Sequence, residues 1–227
     1  MNFSDLHPWN LTPKEAIELQ RELADRIVLE NRLSNPVRRV AGADVSYRRH
    51  GTRFHAAVVV LSLPDLVVVD RASAIAEVRY PYVPGLLSFR ELPVLLEAFR
   101  RLQTIPDLVL VDGQGIAHPR RFGLASHLGL WLELPTVGCA KSRLVGDAAE
   151  IGRERGASRP LRDKGEVIGR LLRTRTGVKP LYVSPGHLVD IPTAAELVLA
   201  CGGGYRLPEP TRQAHLLSNR LRLEGEH

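Results

Sequence analysis

The stretch from Asp107 to Leu130, DLVLVDGQGIAHPRRFGLASHLGL, limits the possible folds more than any other part of the chain. Its LVLV run offers no polar position to either side, the pattern of a strand covered on both faces in a parallel sheet. The run delivers Asp112 into a Gly-Gln-Gly turn, and helical spacing resumes after His118 and Pro119. Strand, glycine turn and helix in that order predict an α/β layer structure. Asp112 then sits where the strand leaves the core, facing the crevice in which open α/β sheets take ligands. The glycines on either side of Gln114 let the backbone turn sharply and let a ligand come close. A D-G pair by itself is more often a plain turn whose acid caps the next helix, so the rest of the chain has to decide.

The length of 227 residues fits a single domain spanning 1–227, with a substantial core. No run is long enough to span a membrane, and the polar start MNFSDLHPWN lacks the basic and apolar regions of a secretory signal; cytoplasmic residence and a monomer are the expectation. Cys139 and Cys201 form no CxxC pair, which disfavours a disulfide framework or a thiolate zinc site. With 31 Lys and Arg against 25 Asp and Glu, the chain can meet a polyanion without naming one.

Thr12-Pro13 reads as an N-cap followed by proline in the first turn of a helix running to about Glu30. Val37–Tyr47, His55–Leu61 and Leu66–Val78 read as three strands with short joins, hence an antiparallel meander on one side of the sheet. RYPYVPG at 79–85 combines prolines and tyrosines in a stiff loop, and Ser88 and Glu91 fit a capping box opening the helix that follows. Leu134–Ala140 predicts another strand ending near Lys141. Residues 147–164 predict an excursion over the surface, and Gly165–Arg173 a strand edge. Leu181–Ser184 predicts a strand, Pro192–Ala200 a helix ended by three glycines, and Thr211 onward a last helix.

Asp44 and Asp112 lie at the exits of predicted strands and Glu91 at a helix start, so adjacent strands would gather three carboxylates in one crevice. Like charges that close raise one another's pKa unless a cation neutralises them. Mg²⁺ suits such a site, being a hard cation that takes oxygen ligands and accepts phosphate oxygens. Such a metal could activate water for attack on a phosphodiester, with Lys141 adding positive charge and His118 contacting phosphate or moving a proton. Each residue also has a plainer reading: a turn acid at Asp44, a cap at Glu91, a helix-start surface residue at His118, a solvated lysine at Lys141. A metal-dependent phosphatase stays open on these residues alone. Arg38, Arg39, Arg120, Arg121, Arg206, Arg212 and His215 could track a nucleic-acid backbone, with Lys179 and His187 as further phosphate-side candidates. Tyr82 could stack on a base or wedge into a duplex, or could bury its ring. There is no GxGxxG, P-loop, HExxH or G-x-S-x-G, which disfavours nucleotide-driven motors, zinc proteases and α/β-hydrolases.

AGADVSY ending at Tyr47, RYPYVPGLLSFRELP at 79–93, the 107–129 stretch, PTVGCAKSRL at 135–144, SPGHLV at 184–189 and YRLPEPTRQAH at 205–215 together resemble the endonuclease V family. That resemblance, from about Arg39 through His215, implies a ribonuclease-H-like α/β fold with a mixed sheet flanked by helices. It implies an Mg²⁺-dependent nuclease, with Mn²⁺ able to substitute, acting on DNA that contains deoxyinosine. The implied cut is at the second phosphodiester 3′ of the lesion, leaving 3′-hydroxyl and 5′-phosphate ends. By motif, Asp44, Glu91 and Asp112 resemble the metal carboxylates, and His118 and Lys141 the phosphate or water partners. His215 resembles an outer metal or water contact. Tyr82 corresponds to the tip of a strand-separating wedge, and Gly85, Leu87 and Gly113 to the lesion pocket. Gln114 departs from the His or Asn found in many relatives and cannot titrate, so no proton transfer is assigned to it. Two alternatives remain at this point, an inosine-specific endoribonuclease and a non-catalytic nucleic-acid-binding module.

Overall fold

The computed structural model describes residues 1, 3–49 and 51–225. Its centre is an eight-stranded mixed sheet of order β3-β2-β1-β4-β5-β8-β7-β6. β1 (Arg39–Tyr47), β2 (Arg53–Ser62) and β3 (Val68–Glu77) form the expected antiparallel meander. β4 (Leu108–Val111) and β5 (Thr136–Ala140) then run parallel to β1. All four residues of β4 are buried, as a strand covered on both faces requires. β6 (Ser158–Asp163), β7 (Glu166–Leu172) and β8 (Leu181–His187) return antiparallel and complete the far side.

Alternation along β1 sorts the helices onto the two faces. Ala41 and Ala43 share a core with Leu92, Leu95 and Phe99 of α2 (Leu87–Arg100) and Leu128 and Trp131 of α3 (Leu124–Leu132). Val40 joins the opposite core with Ala194 and Val198 of α4 (Ile191–Ala200). On that second face α5 (Glu209–Glu224) crosses Gly42 so closely that a Cβ there would lie 1.9 Å from the Pro210 carbonyl oxygen. α1 (Pro13–Ala24) opens with Thr12 as the expected N-cap, and Glu15 completes a capping box with it that was not anticipated. Among the described residues no helix is long and apolar enough to cross a membrane.

Several expectations need correction. α1 stops at Ala24, short of Glu30, and the helix after His118-Pro119 begins only at Leu124. Ser158–Asp163, assigned to a surface excursion, is the edge strand β6, which makes β7 an inner strand. The Ser88–Glu91 capping box does not form: α2 has Leu86 at its N-cap with no side-chain cap. The Ser88 hydroxyl instead meets Nδ1 of the buried His127 at 3.0 Å. A buried imidazole requires a polar partner.

Candidate active site

The parallel register of β1, β4 and β5 pairs Ala43 with Val111 and Val111 with Gly138. Asp44, still within β1, and Asp112, just past the end of β4, therefore stand at one level on neighbouring strands, with Lys141 just past the end of β5. α5 adds His215, whose Nδ1 is 3.3 Å from Asp44 Oδ2, and Ser218, whose hydroxyl donates to the same oxygen. Ser218 was not anticipated; its only signal in the sequence is its place one helical turn after His215.

Asp44, Asp112 and His215 each offer one ligand atom, and these atoms lie within 4.8 Å of one another. Glu91, one turn into α2, lines the same cavity of about 340 Å³ but is not in that ligand trio. Burial, then the Asp44 and Asp112 carboxylates, push Glu91 well above the ordinary carboxylate range, with Arg90 opposing. Burial raises Asp112 too, offset by its ion pair with the Lys141 ammonium. The hydrogen bond to Asp44 raises His215. Two carboxylates, an imidazole and a buried third carboxylate converge on one space with a single ammonium against them, a donor set that fits a divalent cation.

A second cavity of about 420 Å³ adjoins the first, and Asp112, Leu124 and Lys141 line both. Tyr82, Gly85, Leu87, Gly113, Gln114 and His118 line the second. His118 thus stands apart from the carboxylate trio. Its Nε2 donates to the Gly85 carbonyl at 3.1 Å, and its Nδ1 accepts from the Arg120 amide at 3.2 Å. Burial, then the Arg120 guanidinium, lower its pKa to about 4, so the ring is neutral near pH 7.

The Gly85 carbonyl also accepts from Gln20 Nε2 at 3.0 Å and Arg120 Nη2 at 2.8 Å. Gln20, on the buried face of α1, was not anticipated either. With φ at +79° and Arg120 Nη2 only 2.6 Å from where a Cβ would stand, residue 85 has room for glycine alone. The loop that Gly85 anchors leaves Tyr82 67 % exposed, with Arg90 5.8 Å from its ring centroid, so the ring does not enter the core.

The basic candidates divide. Arg120 is held by Gly85 and Gln20, Arg121 pairs with Asp163 and Glu166, and Arg212 pairs with Glu209. Arg38 and Arg39 lie at the amino end of β1, away from Asp44. His187 pairs with Thr136 at the amino end of β5, and its Nδ1 accepts from the Val28 amide at 3.2 Å. These internal engagements and placements remove them as a continuous phosphate track over the carboxylates.

Residues 21–216 match the family model described as Endonuclease V. The chain is 51 % identical over 219 residues to the endonuclease V of Nostoc punctiforme, covering 96 % of this chain and 99 % of that protein. It is 56 % identical over 222 residues to that of Gloeobacter violaceus, covering 96 % and 89 %. The crystal structure of the Streptomyces avermitilis endonuclease V superposes with a TM-score of 0.90 at 44 % identity, covering 96 % of each chain. That of Ciona intestinalis endonuclease V, in complex with a 24mer DNA containing an inosine followed by a ribo-adenosine, gives 0.80 at 29 % identity, covering 94 % and 98 %. The mixed sheet with helices on both faces is accordingly the ribonuclease-H-like fold.

Proposed function

The chain belongs to the endonuclease V family, and from that premise we propose that it hydrolyses a phosphodiester of DNA containing deoxyinosine, at the second bond 3′ of the lesion. The observation that carries this reading is the pairing of the two cavities. One gathers Asp44, Asp112 and His215 with Glu91 in its wall. The other opens beside it under Tyr82, and its volume of about 420 Å³ can accommodate a flipped base. A binding module would have no use for three carboxylates gathered around one ammonium, since the excess negative charge repels phosphate. The Ciona intestinalis relative was crystallised with inosine-containing DNA, and the same lesion suits the adjoining pocket here.

In this reading Asp44, Glu91 and Asp112 hold Mg²⁺ or Mn²⁺, and His215, fixed by Asp44 and Asn219, orients an outer contact. A cation held there would supply Lewis acidity toward water and the phosphate. Water attacks phosphorus in line, the bond from phosphorus to O3′ breaks, and O3′ takes a proton. The products are a 3′-hydroxyl and a 5′-phosphate. Lys141, paired with Asp112, places its ammonium at the phosphate and limits charge build-up there. Neutral His118 holds Gly85, and with it the loop bearing Tyr82, which fills the gap left by the flipped base. Gly85, Leu87 and Gly113 present backbone to the base edge.

The test is the cut position on an end-labelled duplex carrying one deoxyinosine, with undamaged DNA and EDTA controls. Cleavage at the second bond 3′ of the lesion, abolished by EDTA and by Asp112→Ala, is expected. Faster cutting of a matched inosine RNA would transfer the assignment to an endoribonuclease, and unchanged cutting by Asp112→Ala would remove the metal site.

A further inference from the structure

An exposed aromatic group just before α5 has no task in the strand path just proposed. Tyr205 follows three glycines and is 49 % exposed. An exposed tyrosine is ordinarily a solvated side chain, but this ring is backed on one face and its chain neighbour is anchored. The Arg212 guanidinium lies 4.2 Å from the ring centroid and is itself fixed by two bonds to Glu209, at 2.7 and 2.6 Å. Because Glu209 neutralises Arg212, the guanidinium serves as a plate behind the ring rather than as a phosphate anchor. The next residue, Arg206, donates Nη2 to the carbonyls of Lys141 at 2.6 Å and Pro180 at 2.8 Å. The residue next to Tyr205 is thereby tied to the backbone that carries Lys141.

Helical spacing completes the placement. Arg212 and His215 are three apart on α5, hence on one edge of the helix, and His215 reaches Asp44. The ring therefore stands on the α5 side of the cavity, whereas Tyr82 stands on the α2 side. A strand whose lesion occupies the pocket under Tyr82 and whose scissile phosphate lies over Asp44 and Asp112 leaves the cavity, in the 3′ direction, toward α5.

We propose that Tyr205, backed by Arg212, is a second stacking platform that takes an unpaired base of the substrate strand beyond the first nucleotide 3′ of the cut. The contact is sequence-tolerant, since every base offers a π face. The proposal rests on the nuclease reading given above.

Two single-stranded deoxyinosine oligonucleotides test it, one continuing six nucleotides past the cut and one ending at the first nucleotide past it. With the long oligonucleotide, Tyr205→Ala is expected to raise KM about ten-fold with kcat within about two-fold, and Tyr205→Trp to restore it. With the short one, the parent should already show the raised KM and Tyr205→Ala should change nothing further. An unchanged KM on the long oligonucleotide, or an equal loss on both lengths, overturns the platform while leaving the nuclease reading intact. Failure of the parent to cut either one overturns both. Should Tyr205→Ala not fold, 2-aminopurine placed past the cut supplies the readout in the parent: quenching on binding supports stacking, and bright emission overturns it.

Discussion

Replacing His118 by glutamine should flatten the acid side of the stability curve. In the folded chain the imidazole is 3 % exposed, its Nε2 donates to Gly85 and its Nδ1 accepts from the Arg120 amide. Burial, then the guanidinium of Arg120, take its pKa from 6.5 to about 4. A lowered folded-state pKa means that the unfolded chain binds the proton more readily. The resulting stabilisation is complete above pH 6.5 and is lost as the pH falls through about 4. A gap of that size corresponds to roughly 3 kcal/mol at full extent, of which about 2 kcal/mol disappears between pH 7 and pH 5.

Urea unfolding of the parent and of His118→Gln at pH 7 and at pH 5 measures this. Glutamine can still donate to the Gly85 carbonyl but takes up no proton, so the variant should lose about 2 kcal/mol less than the parent over that interval. His187, also lowered to about 4, contributes equally to both proteins and cancels in the comparison. Parallel stability curves would show that His118 is not kept neutral by the fold. The acceptor role given to its Nδ1, which takes the Arg120 amide proton, would then fail as well.

Gly42→Ala should cost about 2–3 kcal/mol, because its Cβ would meet the Pro210 carbonyl oxygen at 1.9 Å and backbone cannot yield cheaply. Thermal unfolding reads the cost, and cleavage should fall with it as His215 and Ser218 are displaced from Asp44. Ser218→Ala removes a donor from Asp44 Oδ2 and should weaken Mn²⁺ binding about ten-fold in calorimetric titration; an unchanged affinity would assign the serine to packing. Tyr82→Ala, at an exposed tip, should change stability by less than about 0.5 kcal/mol while lowering the preference for deoxyinosine over deoxyadenosine. An unchanged preference would refute the wedge.

What could be read from the sequence depended on how local the physical signal was. LVLV specifies a strand buried on both faces without reference to anything else, and the acid that follows it is bound to emerge at the strand's end. β6 gave no such signal: Arg159 and Arg162 of the edge strand face water, so the run SRPLRD reads as polar surface. Ser88 misled because a local pattern, serine three residues before glutamate, competes with a partner in α3 that no local pattern reveals. Gln20 and Ser218 were silent for the same reason, since Gly85 and Asp44 lie far from them in the chain. The glycines carried a signal whose meaning differed from the expected one. Gly115 is required less for a ligand than for the Pro185 carbonyl oxygen, which a Cβ there would meet at 2.0 Å.

Close backbone packing of this kind explains why one short turn can serve two cavities. Neither Gly113 nor Gly115 has a positive φ, so the turn after β4 stays near the ends of β5 and β8 instead of folding back. A Cβ at Gly138 would come within 2.5 Å of both the Gly113 carbonyl and the Gly115 amide nitrogen. The Asp112 side chain is thereby left facing the carboxylate cavity while the Gly113 backbone lines the neighbouring one. Gln114, in the wall of the second cavity, secures the turn: its Nε2 donates to the Ser142 carbonyl at 2.9 Å, joining the turn to the residue after Lys141. The ion pair between Lys141 and Asp112 closes the same loop from the side-chain direction. A group that enters the second cavity therefore presses on main chain only one residue from a carboxylate of the candidate metal cluster and one from its counter-charge, which is the shortest route by which occupancy of one cavity can bear on the other.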